Sequence, residues 1–126
     1  DDGDPDLLLL GVGERPRLLR NDGGNRRRWL GVRLIGALSN RDGVGARVTV
    51  TVGGRSTTKV RTGGTSYASA SDPRLLFGLG DETAPARVEV IWPSGHIDVV
   101  VAVEGSRYIT VREGVGTAAA PTGDAR

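Results

Sequence analysis

Ala46-Arg47-Val48-Thr49-Val50-Thr51-Val52-Gly53-Gly54-Arg55 is the stretch on which the fold turns. Three valines alternate with Arg47, Thr49 and Thr51, so one face is apolar and the other polar. A period of two is the signature of a half-buried strand. Gly53-Gly54 then supplies a tight turn into a weaker strand, Thr57–Arg61, with Val60 expected inward. Working outward, Trp29 to Ile35 alternates with Leu30, Val32 and Leu34 on one face. Leu75 to Leu79 is a short apolar run, and Arg87 to Trp92 places Val88, Val90 and Trp92 together. Pro93-Ser94-Gly95 closes a hairpin into Ile97–Val103, where the pattern puts Ile97, Val99, Val101 and Val103 on the core face. Arg107 to Val111 is the last strand, with Ile109 and Val111 inward. Seven short strands between residues 29 and 112 predict an all-β domain, an antiparallel β-sandwich or barrel. Its expected core is Val48, Val50, Val88, Val90, Val99, Val101 and Ile109.

Composition agrees with that class. The chain has 126 residues, 37% apolar, enough for one domain with one core. Twenty glycines and six prolines favour short strands and tight turns over a helical bundle. The absence of cysteine excludes disulfides, thiolate metal sites and a cysteine nucleophile, and the single histidine, His96, excludes a zinc site of two or more imidazoles. The net charge is only +2, and the pI near 9.7 describes general anion affinity rather than a site. Only five aromatic residues are present, few for a surface that stacks bases. Methionine is absent and Asp1 stands first, so we expect a processed or cut piece of a longer chain.

The segments flanking the β domain read differently. Residues 1–24 form an expected hairpin, in which the Leu7–Leu10 run and Arg17-Leu18-Leu19-Arg20 are the strands. The leucine run is far too short to span a membrane. A lone hairpin is marginal in water and has to pack on something else. Residues 25–28 are a basic linker that continues an arginine-rich stretch, Arg15, Arg17, Arg20, Arg26, Arg27 and Arg28. Without interleaved aromatics this stretch reads as a solvated linker rather than a nucleic-acid grip. Residues 115–126 lack large apolar side chains and are expected to be a disordered tail.

No catalytic set emerges from the letters. Ser94, His96 and Asp98 contain the residue types of a hydrolase triad. Side chains two apart on a strand are about 6.5–7 Å apart, too far for direct bonds, so His96 and Asp98 read as surface strand residues. Arg87 and Glu89 read as an exposed same-face pair. Ser39-Asn40-Arg41-Asp42-Gly43-Val44-Gly45 reads as a structural, hairpin-type turn, with a recognition loop presenting Arg41 and Asp42 as the alternative.

Several ordered motifs carry a resemblance. Trp29-Leu30-Gly31-Val32-Arg33-Leu34 and Ser39 to Ala46 begin it. Ser71-Asp72-Pro73-Arg74-Leu75-Leu76-Phe77-Gly78-Leu79-Gly80, Val88 to Gly95 and Tyr108 to Gly114 continue it in order. Residues 29–114 resemble the ASPIC/UnbV domain of the cartilage acidic protein-like family. Ala70 stands where that family's pattern has glutamine, and Leu76 where it has histidine. Any role of those two polar side chains therefore does not carry over.

The resemblance implies that the domain follows FG-GAP repeats, which build a β-propeller, and that residues 1–24 are the end of such a repeat. The propeller calcium loop is similar to D-x-D-x-D-G-x-x-D. By that likeness Asp2 is an acidic ligand, Asp4 a main-chain carbonyl ligand and Asp6 the closing carboxylate, with two further carboxylates upstream. Calcium is thus expected in the intact parent, and none in this half-site alone. The function implied is a non-catalytic accessory or interaction module on an extracellular propeller protein. Its partners would be its own upstream propeller and an extracellular protein or carbohydrate, with no nucleic acid and no membrane span. The alternative is a subdomain of a propeller enzyme acting on a polysaccharide or bacterial natural product, with Arg41, Asp42 or Asp72 closing the site.

Overall fold

The alternating residues Leu30, Val32, Leu34, Val48, Val50, Val52, Val88 and Val90 are all buried, as the sequence predicts. The computed structural model describes residues 2–64, 66, 67 and 69–115. The expected disordered tail falls almost entirely on 116–126, outside the described residues. Nine strands form three sheets, with no closed barrel and no α-helix among the described residues. They are β1 (Leu7–Leu9), β2 (Arg17–Leu19), β3 (Arg28–Ile35), β4 (Arg47–Val52), β5 (Arg55–Val60), β6 (Leu75–Gly80), β7 (Ala86–Ile91), β8 (Ile97–Val103) and β9 (Arg107–Arg112). A 3₁₀ turn at Gly24–Arg26 leads into β3.

β3 to β9 are the seven strands read from the sequence, and they make a sandwich. A three-stranded sheet in the order β6-β3-β9 faces a four-stranded sheet in the order β5-β4-β7-β8. Between them lie Leu30, Val32, Leu34, Val48, Val50, Phe77, Val88, Val90, Trp92, Ile109 and Val111, all buried. Filling the inter-sheet space with alternating side chains from both layers is what stabilises this architecture. Lys59, the only lysine, donates from Nζ to the Leu76 carbonyl at 2.6 Å, a link from the edge strand β5 to the opposite sheet.

Four readings change in three dimensions. The sandwich is not wholly antiparallel, because β3 and β9 pair in parallel, with Val32 opposite Ile109. Alternation has the same period in either orientation, so it carries no signal of direction. Within β8 the expected face is reversed: Asp98 is buried, whereas Ile97 and Val101 are 53% and 56% exposed. Val99 is only partly covered. Val88 pairs with Val100 and Ala86 with Val103, so β8 holds one residue more than β7 over this span. That β-bulge, with Ala102 at φ 58, returns Val103 to the core. β5 is exposed at every position, Val60 included. Finally, the Ser39–Gly45 loop is not a hairpin turn, because it carries the chain from one sheet to the other.

Candidate functional site

The outer face of the three-stranded sheet is built on a missing side chain. A Cβ on Gly31 would lie 2.0 Å from the Tyr108 ring, so only glycine lets that ring cross β3. Tyr108 packs against Trp29, with centroids 4.9 Å apart and planes tilted by 59°. The Arg74 guanidinium lies over the Tyr108 ring at 4.2 Å. Asp72 clamps Arg74 through both carboxylate oxygens, with Nη2 to Oδ2 at 2.5 Å and Nε to Oδ1 at 2.9 Å. The Arg74 hydrogen bonds hold the Asp72 carboxyl below its ordinary pKa and raise that of Arg74. Burial pushes the Tyr108 hydroxyl up. Gly3 covers the other side of Trp29; a Cβ there would fall inside the indole.

Beside this stack lies an open groove of about 580 Å³. Arg33 of β3, Arg112 of β9 and Arg41 of the β3–β4 loop line it, together with Ser39, Asp42 and Pro73. The register explains the convergence. Arg33 and Arg112 occupy outward positions on the paired strands β3 and β9, two register positions apart, because Arg33 faces Thr110 and Ile35 faces Arg112.

The loop that brings Arg41 to the groove is held by a carboxylate. Glu113, just past β9 and 3% exposed, accepts at Oε2 from the backbone N–H groups of Ala37, Leu38 and Ser39 at 2.8, 2.8 and 2.7 Å. Three successive N–H groups aimed at one point form an anion-binding concavity, which this chain fills with its own side chain. The Oε1 atom accepts from the hydroxyls of Ser39 and Ser94 at 2.8 and 2.5 Å. Desolvation raises the Glu113 pKa, but these hydrogen bonds outweigh it and bring the carboxyl from 4.5 to about 2. Asn40 closes the loop tip, with Nδ2 donating to the Val44 carbonyl and Oδ1 accepting from the Val44 N–H, both at 2.8 Å.

Asp98 is the second buried acid. Its Oδ2 accepts from Trp92 Nε1 at 2.7 Å and from the Gly114 N–H at 3.0 Å. His96 Nε2 lies 3.3 Å from Asp98 Oδ1, so the two are in contact; Asp98 is buried, which corrects its reading as a surface residue, whereas His96 is exposed as expected. Separation along an extended strand does not apply here, because His96 lies in the turn before β8. A triad still does not form. The Ser94 hydroxyl donates to Glu113 and accepts from the His96 backbone N–H, not from its ring.

The other sequence-named residues are placed as follows. Arg41 and Asp42 share the groove, whereas Asp72 is bound to Arg74. Arg87 and Glu89 form the expected surface pair at 3.0 Å. Of the basic stretch, Arg17, Arg20 and Arg27 pair with Glu14, Asp22 and Asp81, and Arg28 donates to the Glu82 carbonyl. In the acidic start, Asp6 Oδ1 accepts from the Asn21 N–H at 2.9 Å and Asp4 Oδ2 from the Gly24 N–H at 3.1 Å. Asp4 Oδ1 is buried with no hydrogen-bond partner among the described residues. Desolvation, and then the neighbouring Asp2 carboxyl, raise the Asp4 pKa, while that of Asp2 is lowered by its own backbone N–H and by Asp4. This pair suits a cation, yet no three His, Cys, Asp or Glu side chains among the described residues gather into a metal site.

Sequence reasoning missed Glu113, the Arg74–Tyr108 stack and the groove role of Arg33 and Arg112. The outward alternation of Arg33 and Arg112 was a usable signal for the last of these. Fold and surface together define a small β-sandwich whose two buried carboxylates, Glu113 and Asp98, are held by donors of the fold itself. Residues 36–118 match the ASPIC and UnbV family, and the chain belongs to it. The match begins just after β3, although β3 is the central strand of its sheet and belongs to the same sandwich. No curated protein matches the chain.

Proposed function

We propose that residues 29–114 are a non-catalytic interaction module at the C-terminal end of an extracellular FG-GAP propeller protein, with calcium held in the adjoining propeller repeat. The observation that carries this reading is the β1–β2 hairpin, in which Leu7 pairs with Leu19 and all six strand residues are exposed. Leu8 and Leu18 are 58% and 66% accessible. A leucine ribbon bare on both faces needs a neighbouring sheet, and a propeller blade is one. Asp4, Asp6 and Gly3 tie this ribbon to residues 21–24 and to Trp29, so what the hairpin docks on is coupled to the sandwich. Support for a non-catalytic role comes from the commitment of Ser94 to Glu113, of Glu113 to the loop backbone and of Asp98 to the Trp92 indole. In the repeat, Asp2, Asp6 and the Asp4 carbonyl would supply part of a calcium shell, the ion offsetting the repulsion within the Asp2–Asp4 pair. Calcium takes six to eight oxygens, more than these three residues give.

The test compares this chain with a longer one that carries the upstream repeat. Calorimetry should find a calcium site in the longer chain, weakened by Asp6→Ala, and no site of micromolar strength in the 126-residue chain. Leu8→Asp with Leu18→Asp should lower the melting temperature of the longer chain and leave the sandwich of the shorter one unchanged. Equal calcium affinity in both chains, or no effect of the leucine substitutions in either, would overturn the reading. One observation favours the enzyme-subdomain alternative: Arg41 and Asp42 meet in one groove. Turnover by the longer chain that vanishes on Asp42→Ala with folding intact would establish it.

A further inference from the structure

Among the described residues, Arg17, Arg20, Arg27, Arg74, Arg87 and Arg107 each have a carboxylate within 4 Å. Arg33, Arg41 and Arg112 have none among the described residues, and these three come from β3, the β3–β4 loop and β9 to line a single groove. The backbone donors at the loop's start are already spent on Glu113, so the guanidiniums are the anion donors left to the groove. Next to it, Arg74 is neutralised by Asp72 and stacked on Tyr108, which leaves that ring committed. Asp42 is the remaining charged side chain of the lining.

We propose that this groove binds an acidic sugar, a uronate unit of an acidic polysaccharide. The guanidiniums of Arg33, Arg41 and Arg112 take the carboxylate, and Asp42 accepts from a ring hydroxyl. The inference deepens the interaction-module reading and rests on it. Guanidinium donors match carboxylate oxygens in planar, charge-assisted pairs. A bare polyanion would be repelled by Asp42, whereas a ligand carrying acid and hydroxyls on one unit satisfies both signs of charge. The same carboxylate, and a groove lining without an aromatic side chain, disfavour nucleic acid. About 580 Å³ of open groove accommodates several sugar units. The Glu113 clamp sets the loop before the ligand arrives, which lowers the ordering cost of binding.

The experiment is calorimetric titration of the 126-residue chain at low ionic strength with tetragalacturonate, tetraglutamate and a tetranucleotide of RNA. Tetragalacturonate should bind most tightly, and Arg41→Ala and Arg112→Ala should each weaken it about tenfold or more. Arg15→Ala with Arg17→Ala, remote from the groove, should leave it unchanged. Asp42→Asn should act with opposite signs, weakening tetragalacturonate and strengthening tetraglutamate. No binding of tetragalacturonate, equal losses from the Arg15 and Arg17 substitutions, or tightening of both ligands by Asp42→Asn would each overturn the inference. Preferential binding of RNA would do the same. The calcium and leucine tests on the longer chain do not depend on these outcomes, so the two readings fail separately.

Discussion

The indole Nε1 of Trp92 donates to Asp98 Oδ2 at 2.7 Å inside the sandwich, where Trp92 is 2% and Asp98 1% exposed. A tryptophan just past one strand and an acid near the start of the next thereby satisfy each other across their turn. The Gly114 N–H adds a second donor to the same oxygen. Asp98→Ala leaves the buried indole N–H without an acceptor, which costs about 1–3 kcal/mol, and removes the acceptor of the more accessible Gly114 N–H. Urea unfolding should show a loss of about 1–3 kcal/mol for Asp98→Ala. His96→Ala should cost under about 1 kcal/mol, because its ring is half exposed and its contact is long.

Stability should fall in acid through Glu113. Its folded pKa of about 2 lies below the reference of 4.5, so its contribution is complete above pH 4.5 and lost as pH falls towards 2. Asp72 is depressed as well and acts in the same direction. Denaturation midpoints measured between pH 6 and 2 should decline, and Glu113→Gln should flatten the slope between pH 4.5 and 2. An unchanged slope in that variant would place the acid sensitivity elsewhere.

The bulge in β8 makes paired substitutions diverge. Val50→Asp buries an uncompensated charge between the sheets and should cost more than about 4 kcal/mol, or abolish folding. Val101→Asp, on the solvent face, should stay within about 0.5 kcal/mol of the wild type. Simple alternation along Ile97–Val103 demands that Val101→Asp be as severe as Val50→Asp, so chemical denaturation of the two variants distinguishes the registers.

Gly31→Ala should push Tyr108 off β3. The added Cβ has no room beneath the ring, and forced repacking of this kind costs about 1–3 kcal/mol. Trp29 and Arg74 would lose their aromatic neighbour, so tryptophan fluorescence should shift along with stability. Combining Gly31→Ala with Tyr108→Ala should cost less than the sum of the two, since removing the Tyr108 ring removes the clash that the added Cβ makes.

Much of this protein is written locally. Alternation in Trp29–Ile35, Ala46–Val52 and Arg87–Trp92 places Leu30, Val32, Val48, Val50, Val88 and Val90 in the core, and the structure buries every one. The glycine-rich turn after Val52 and the Pro93-Ser94-Gly95 turn likewise mark their hairpins, β4–β5 and β7–β8. These features depend on residues two to five apart, where covalent geometry ties spacing to direction.

The rest depends on residues far apart in the chain. Asp98 is inside although its charge reads as outside, because Trp92 and the Gly114 N–H wait for it there. Glu113 looks like one more surface acid until it meets Ala37, Leu38 and Ser39 from the other end of the domain. Arg33, Arg41 and Arg112 become one groove only because β9 returns to lie parallel beside β3. By itself the sequence determined the strands and most of their buried faces, since hydrophobic burial acts on a local period of two. Only the tertiary structure decided the parallel pairing, the bulge and the polar clusters, since hydrogen bonds and charges are satisfied by whatever the fold brings within about 3 Å.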